Sequence, residues 1–317
     1  MIAPPSLRAI KAVFAIALLV LLPGCAPFNY SGEDSPIAKT SITALNPKPQ
    51  VALVLSSGGQ RGYAHLGVMK ALEDAGIEYD LVVGSSVGAL LGAFWAEGRN
   101  VNELDRLSRQ TGMLDWLDFS PFADRGWVRG QSLQDLLDRE LTHTSLEKMP
   151  RKLIVTATRR NDKTPVFFNS GRTSVAVRAS SAIRGFISPV GIEGIEYEDA
   201  DESLPIAVRA ARQAGALFII AVDVSAPLDS IPEHVSIKER EQMQRRAARI
   251  ADETAAADFL IHVRMKYYAP PFDSYFEYAR AAGEQSARTL LPDLTTALKV
   301  KCPTTCIVSD RQVSKPK

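Results

Sequence analysis

The chain has 317 residues, 46% of them hydrophobic and 23% charged, which is enough apolar material to bury a substantial core in one generous domain. Its 37 Lys and Arg nearly balance 36 Asp and Glu, so the formal net charge is +1 and no global field draws in a polyanion; nucleic acid is not an expected partner. There is no repeat of fixed period and no low-complexity tract, which argues against solenoids and disordered scaffolds.

At the N-terminus, Arg8 and Lys11 precede a purely apolar run from Ala12 to Leu22, followed by Pro23-Gly24-Cys25. This is the layout of a charged n-region, an apolar h-region and a cleavage zone, too short to span a bilayer comfortably. Leu22-Pro23-Gly24-Cys25 resembles the lipobox of bacterial lipoproteins, which implies cleavage before Cys25 and acylation of that residue. On this reading residues 1–24 are a signal peptide and Cys25 carries the lipid. Residues 25–49, rich in Pro, Ser, Thr and Asn, form a tether to a domain over residues 50–300, and residues 301–317 form a tail. The expected location is the cell envelope, anchored by lipid to the outer membrane and facing the periplasm, because Ala26 lacks the Asp that retains lipoproteins at the inner membrane.

Val51 to Leu55 is a continuous apolar run rich in β-branched residues that ends at Ser56-Ser57-Gly58-Gly59, a buried strand entering a tight turn. From Gly62 the pattern becomes helical, with Leu66, Met69, Leu72 and Ala75 on one face and Gly76 as the stop. Leu81 to Gly84 is a second strand, followed by Ser85-Ser86 and a small-residue helix from Val87 to Ala96. Strand, helix, strand, helix in so short a span predicts a parallel sheet with right-handed crossovers. Further strands are expected at 152–156, 216–222 and 259–263, and helices at about 132–141, 206–214, 236–256 and 274–298. The class is α/β, with helices on both faces of the sheet.

In Gly84-Ser85-Ser86-Val87-Gly88 two glycines flank a residue at a sharp strand-to-helix turn, which lifts the Ser86 hydroxyl above the sheet edge as a nucleophile. The helix opening at Val87 aims its positive end at that oxygen. Gly58-Gly59-Gln60-Arg61-Gly62 supplies backbone N–H groups at a helix start, suited to an oxyanion. Phosphate binding by a nucleotide is the rival use of such a loop. It lacks support, because no Gly-Lys-Ser/Thr ending follows and no acidic residue ends the second strand. The loop lies only one helix upstream of the nucleophile, so the Ser, Asp, His order of an α/β-hydrolase does not map. His65, His143, His234 and His262 read as structural or exposed. A desolvated carboxylate is the alternative base.

These two motifs together resemble the patatin-like phospholipase family. The resemblance extends to Arg178-Ala179-Ser180-Ser181-Ala182-Ile183 with Gly185-Phe186, to Tyr197-Glu198-Asp199, to Leu204-Pro205-Ile206 and to Ala221-Val222-Asp223. It implies a three-layer α/β/α fold with a mainly parallel central sheet. It also implies a Ser86–Asp199 dyad, an oxyanion hole at Gly58 to Gly62, hydrolysis of phospholipid or other acyl esters through an acyl-enzyme, and neither cofactor nor metal. The chain departs from the family at Ser57, where a loop glycine is usual, and at Arg184, where Pro is usual. After Asp199 come Ala200-Asp201 rather than Gly, in a segment about two residues short, so Asp201 is a second candidate for the base. The aromatic-rich stretch from Met113 to Phe122 suits an acyl pocket, a lid or plain core. Arg61 suits either a lipid phosphate or a buried ion pair. Cys302 and Cys306 are close enough in sequence for a local disulfide in an exported chain. Two other functions fit the same features: a membrane-tethered lipid-binding protein that has lost turnover, and an acyltransferase or thioesterase.

Overall fold

The computed structural model describes residues 29–111 and 116–302. Cys25, where lipidation is expected, residues 1–24, where a signal peptide is expected, residues 112–115 and Cys306 lie outside the described residues.

The first half of the chain gives β1 (Asn29–Tyr30), β2 (Val51–Leu55), α1 (Tyr63–Asp74), β3 (Leu81–Ser85), α2 (Val87–Ala96), α3 (Val101–Gln110) and α4 (Gln131–Glu140). Next come β4 (Lys152–Arg159), β5 (Pro165–Phe168), α5 (Thr173–Ser180), β6 (Val190–Ile192) and β7 (Ile195–Glu198). The last part is α6 (Val208–Gln213), β8 (Phe218–Asp223), α7 (Ile237–Thr254), β9 (Phe259–His262) and α8 (Asp273–Lys301). The strands form one sheet in the order β1-β6-β7-β4-β3-β2-β8-β9, with β5 also on β4. From β9 to β4 all neighbours are parallel, while β5 and β7 join β4 antiparallel.

The apolar runs of β2 and β3 are buried at every residue, as expected of central parallel strands covered on both faces. Side chains alternate across β2. Val51, Leu53 and Leu55 join a core with Leu66, Met69, Phe94 and Leu294 from α1, α2 and α8. Ala52 and Val54 join a second core with Val208, Ala211 and Ile250 from α6 and α7. Two cores on opposite faces of one sheet make the three-layer α/β/α arrangement. Helices α1 and α8 cross so closely that a Cβ on Gly283 would lie 2.0 Å from the carbonyl oxygen of Ala64.

Residues 29–49, read as a tether, are seated on the domain. β1 pairs with β6, Lys39 bridges to Phe167, and Ile42 is buried. The Tyr30 hydroxyl bonds to Gln134 and accepts from Arg178 at 2.8 Å. A Pro- and Ser-rich composition disfavours a core of its own but does not prevent docking onto partners more than 100 residues away.

The parallel register sets Leu55 opposite Gly84 and Ser85 opposite Thr156. The loop leaving β2, the turn leaving β3 and the end of β4 therefore emerge side by side at the carboxyl edge of the sheet, where open α/β sheets form their sites.

Candidate active site

Ser86 sits at that edge with φ 53° and ψ −119°, a strained conformation for a residue with a Cβ. The flanking glycines make the turn possible. A Cβ on Gly84 would lie 2.5 Å from the Ala89 backbone, and one on Gly88 would lie 2.4 Å from the Leu55 carbonyl oxygen. Any larger residue at either position pushes α2 off the sheet. The Ser86 N–H donates to Ser180 Oγ at 2.8 Å, and the Ser86 carbonyl accepts from Ala89 and Leu90 as α2 begins.

The Ser86 hydroxyl donates to Asp199 Oδ2 at 2.7 Å, and both residues are buried. Three hydrogen bonds fix Asp199. Its N–H donates to the Ala182 carbonyl at 2.9 Å, its carbonyl accepts from Thr158 Oγ1 at 2.8 Å, and its Oδ1 accepts from the Asp201 N–H at 2.8 Å. Burial pushes the Asp199 carboxyl up to about 7; the nearby Asp201 charge adds to this, and the Ser86 hydroxyl offsets part of it.

Asp201 is engaged elsewhere. Arg246 Nε donates to its two oxygens at 2.8 and 3.0 Å, and Ser57 Oγ bonds to Oδ1. Burial opposes the Asp201 charge, but Arg246 and the Ser57 hydroxyl outweigh it and hold the carboxyl below its ordinary range. The four histidines also have other partners. His65, buried, faces the Ser56 carbonyl at 2.9 Å, and burial drives its pKa down to about 4, so it is neutral. His143 meets Glu97, His234 meets Tyr268, and His262 meets Asp223 at 2.8 Å. Asp223 caps its own loop through Ser225.

In the Gly58-to-Gly62 loop the Arg61 N–H already donates to the Gly58 carbonyl at 3.1 Å, which removes one of the five expected oxyanion donors. Gly59, at φ +54°, faces open space and lines the same cavity as Ser86. A Cβ on Gly62 would strike Val87 at 2.3 Å, so this glycine lets the loop press against the start of α2. The Arg61 side chain turns away to the Tyr267 carbonyl, a third outcome beside the lipid phosphate and the ion pair expected of it.

The cavity beside Ser86 has a volume of about 440 Å³ and is walled mainly by apolar side chains, among them Leu66, Leu90, Leu133 and Ile187. Such a volume suits a small or chain-like apolar ligand. From the aromatic stretch it takes Trp116, Leu117 and Phe119, so part of that stretch does line a pocket. Arg178, fully buried in α5, also reaches the wall while donating to the Arg129 carbonyl at 2.7 Å. Among the described residues no group of three or more His, Cys, Asp or Glu is placed to hold a metal ion, and no helix is long and apolar enough to cross a membrane.

The family model for patatin-like phospholipases matches residues 53–202, from the β2 loop through Ser86 to Asp199 and Asp201. Residues 53–202 belong to the patatin-like phospholipase family. An uncharacterized NTE family protein of Mycobacterium tuberculosis is 32% identical over 219 residues, covering 67% of this chain and 60% of that protein. A lysophospholipase nte1 of Aspergillus oryzae is 31% identical over 189 residues, 58% of this chain but only 12% of its own length. The chain thus spans about three-fifths or less of these curated relatives. Among solved structures, VipD from Legionella pneumophila aligns over 83% of this chain and 71% of its own, with a TM-score of 0.52 at 13% identity, a likeness of fold.

Ser180, Thr158 and Arg246 hold the site together and have no role in the sequence reading, whereas Ser57 enters it as a departure in the loop and Asp201 as a second candidate base. Ser180 lies inside the Arg178-to-Ile183 segment, which was the available signal.

Proposed function

We propose that this protein is a serine acyl hydrolase that cleaves carboxylic esters of lipids by a Ser86–Asp199 dyad. The observation that carries the reading is the 2.7 Å hydrogen bond from Ser86 Oγ to a buried carboxylate, at the wall of an apolar cavity. Asp199, with its pKa raised to about 7, is basic enough to take the hydroxyl proton as Ser86 attacks the ester carbonyl. Negative charge developing on the carbonyl oxygen meets loop amides led by Gly59 and the positive end of α2. The alcohol leaves with the proton from Asp199, and the acyl chain stays on Ser86 with its tail in the cavity. Water, deprotonated in turn by Asp199, releases the fatty acid.

The lipid anchor at Cys25, and with it the outer-membrane location facing the periplasm, belongs to the same reading; its support is the Leu22-to-Cys25 motif. A fluorophosphonate probe is expected to label the wild-type protein and fail on Ser86→Ala, and Asp199→Asn is expected to slow ester cleavage on the order of a hundredfold or more. Equal labelling of wild type and Ser86→Ala would remove Ser86 from the mechanism.

A further inference from the structure

Beside the cavity mouth, residues 118–130 make a loop that is closed at its base and apolar at its tip. Asp118 accepts from the N–H groups of Gly130 and Gln131 at 2.6 and 2.9 Å, which caps α4 and pins the base. The Ser120 N–H donates to the Trp127 carbonyl, and Phe119 bridges to Val128. The Trp127 N–H donates to the Phe186 carbonyl at 2.8 Å. Arg125 then ties the tip to Glu196 on β7. On this braced loop Phe122 is 71% and Trp127 70% exposed, an arrangement that costs solvation without serving the core.

Two further observations say what covers these rings. The patch is continuous with the cavity, because Phe119 and Ile183 are both exposed and both line it. The same end of the sheet also receives the N-terminal segment. Asn29 pairs with Gly191, and Gly191 with Glu196, so the chain enters about 10 Å from the residue that holds Arg125. Cys25 precedes Asn29 by four residues, a span of at most about 14 Å.

We infer that the Phe119, Phe122 and Trp127 loop is a docking surface for the phospholipid bilayer, which it enters at the interfacial layer so that the cavity opens directly onto the membrane. A lipid on Cys25 would hold that same end of the molecule against the surface. The inference rests on the proposed lipid hydrolysis for its choice of occupant. Trp and Phe on a fixed loop suit the interfacial layer, where amphipathic rings settle at the headgroup level.

The test uses the full chain on vesicles of phosphatidylethanolamine and phosphatidylglycerol, with a fraction of the acyl chains brominated. Trp127 is expected to be quenched, and the quenching is expected to be largely absent in Trp127→Phe. Phe122→Ser, a residue outside the cavity wall, is expected to slow hydrolysis of vesicle phospholipid on the order of tenfold, the effect of losing one buried aromatic ring, and to leave cleavage of a water-soluble nitrophenyl ester within about twofold. An unquenched Trp127, an equal loss on both substrates, or a dimer in solution that Phe122→Ser dissolves would each overturn the inference. If the wild type cleaves neither substrate, the hydrolase reading fails, and the quenching alone still decides the docking.

Discussion

If Asp199 is the base, ester cleavage must fall off below about pH 7 rather than below about pH 4. The reaction needs the carboxylate, which is present above the pKa. With that pKa at about 7 it is about half populated at pH 7, about a tenth at pH 6 and about a hundredth at pH 5. Burial is the larger cause, and the charge on Asp201 is the one that a substitution can remove. Across one intervening residue, roughly 6 Å, a unit charge in an effective dielectric of about 20 contributes on the order of 2–3 kcal/mol. Arg246, 2.8 Å from Asp201, already cancels part of this. In Asp201→Asn the repulsion disappears while Arg246 continues to favour the Asp199 carboxylate, so the pKa of Asp199 falls. Arg246 is present in both forms, so the midpoint of the acid limb is expected to drop by the whole repulsion removed, about two pH units at about 1.4 kcal/mol each. The assay is kcat/KM for a soluble nitrophenyl ester between about pH 5 and 9, which reports the free enzyme. A wild-type midpoint near 4, or an Asp201→Asn midpoint that stays put or rises, would refute the assignment.

Three more outcomes follow from the same geometry. Asp199→Asn is expected to stabilise the fold at alkaline pH. A carboxyl raised from its ordinary value to about 7 makes the folded state lose stability as pH climbs between the two values, so thermal unfolding should show the variant's advantage widening by about 2–3 kcal/mol from pH 5 to pH 8. Ser180→Ala leaves the buried Ser86 N–H without its acceptor; about 1–3 kcal/mol of stability should be lost in denaturant unfolding, with kcat falling more than KM changes. Gly88→Ala sets a Cβ 2.4 Å from a main-chain oxygen, which cannot give way as a flexible side chain would; a loss of about 3 kcal/mol or more in thermal unfolding is expected.

The central sheet was legible because β2 and β3 are buried on both faces and must be apolar throughout, so their runs stand out in the sequence. Helix α3 was also legible in principle. Asn100 and Glu103 form a capping box, with the Asn100 side chain accepting from the Glu103 N–H and the Glu103 carboxylate from the Asn100 N–H. Strands β6 and β7 carry only three and four residues, turned by Glu193 and Gly194 at positive φ. Their length gives periodicity nothing to act on, and what defines them is the pairing of β7 with the distant β4. The docking of residues 29–49 is hidden for the same reason, since the partners of Tyr30 are Gln134 and Arg178. Ser86 announces itself by local backbone chemistry. Ser180 and Thr158 do not, because a hydroxyl in an apolar helix or strand serves many local hydrogen bonds and only the fold selects the one that matters.

The two departures from the family pattern next to the site are one feature. Ser57, in place of a loop glycine, and Asp201, in the Ala200-Asp201 pair that follows Asp199 where the family has Gly, bond to each other across 144 positions, and Arg246 from α7 closes the cluster on both, with its Nη2 at 3.1 Å from Ser57 Oγ. A glycine at 57 would leave Asp201 without that hydroxyl, and a neutral residue at 201 would leave Arg246 buried beside Asp199 with less to balance it. The shortened segment after Asp199 is absorbed by a tight 3-10 turn at Ala200–Glu202, in which the Asp201 N–H reaches back to Asp199 Oδ1. That bond turns the other Asp199 oxygen, Oδ2, towards Ser86. The shorter loop therefore has its own means of aiming the carboxylate. The charge of Asp201 acts on the pKa of Asp199 as a neighbour, while its own oxygens are committed to Ser57 and Arg246.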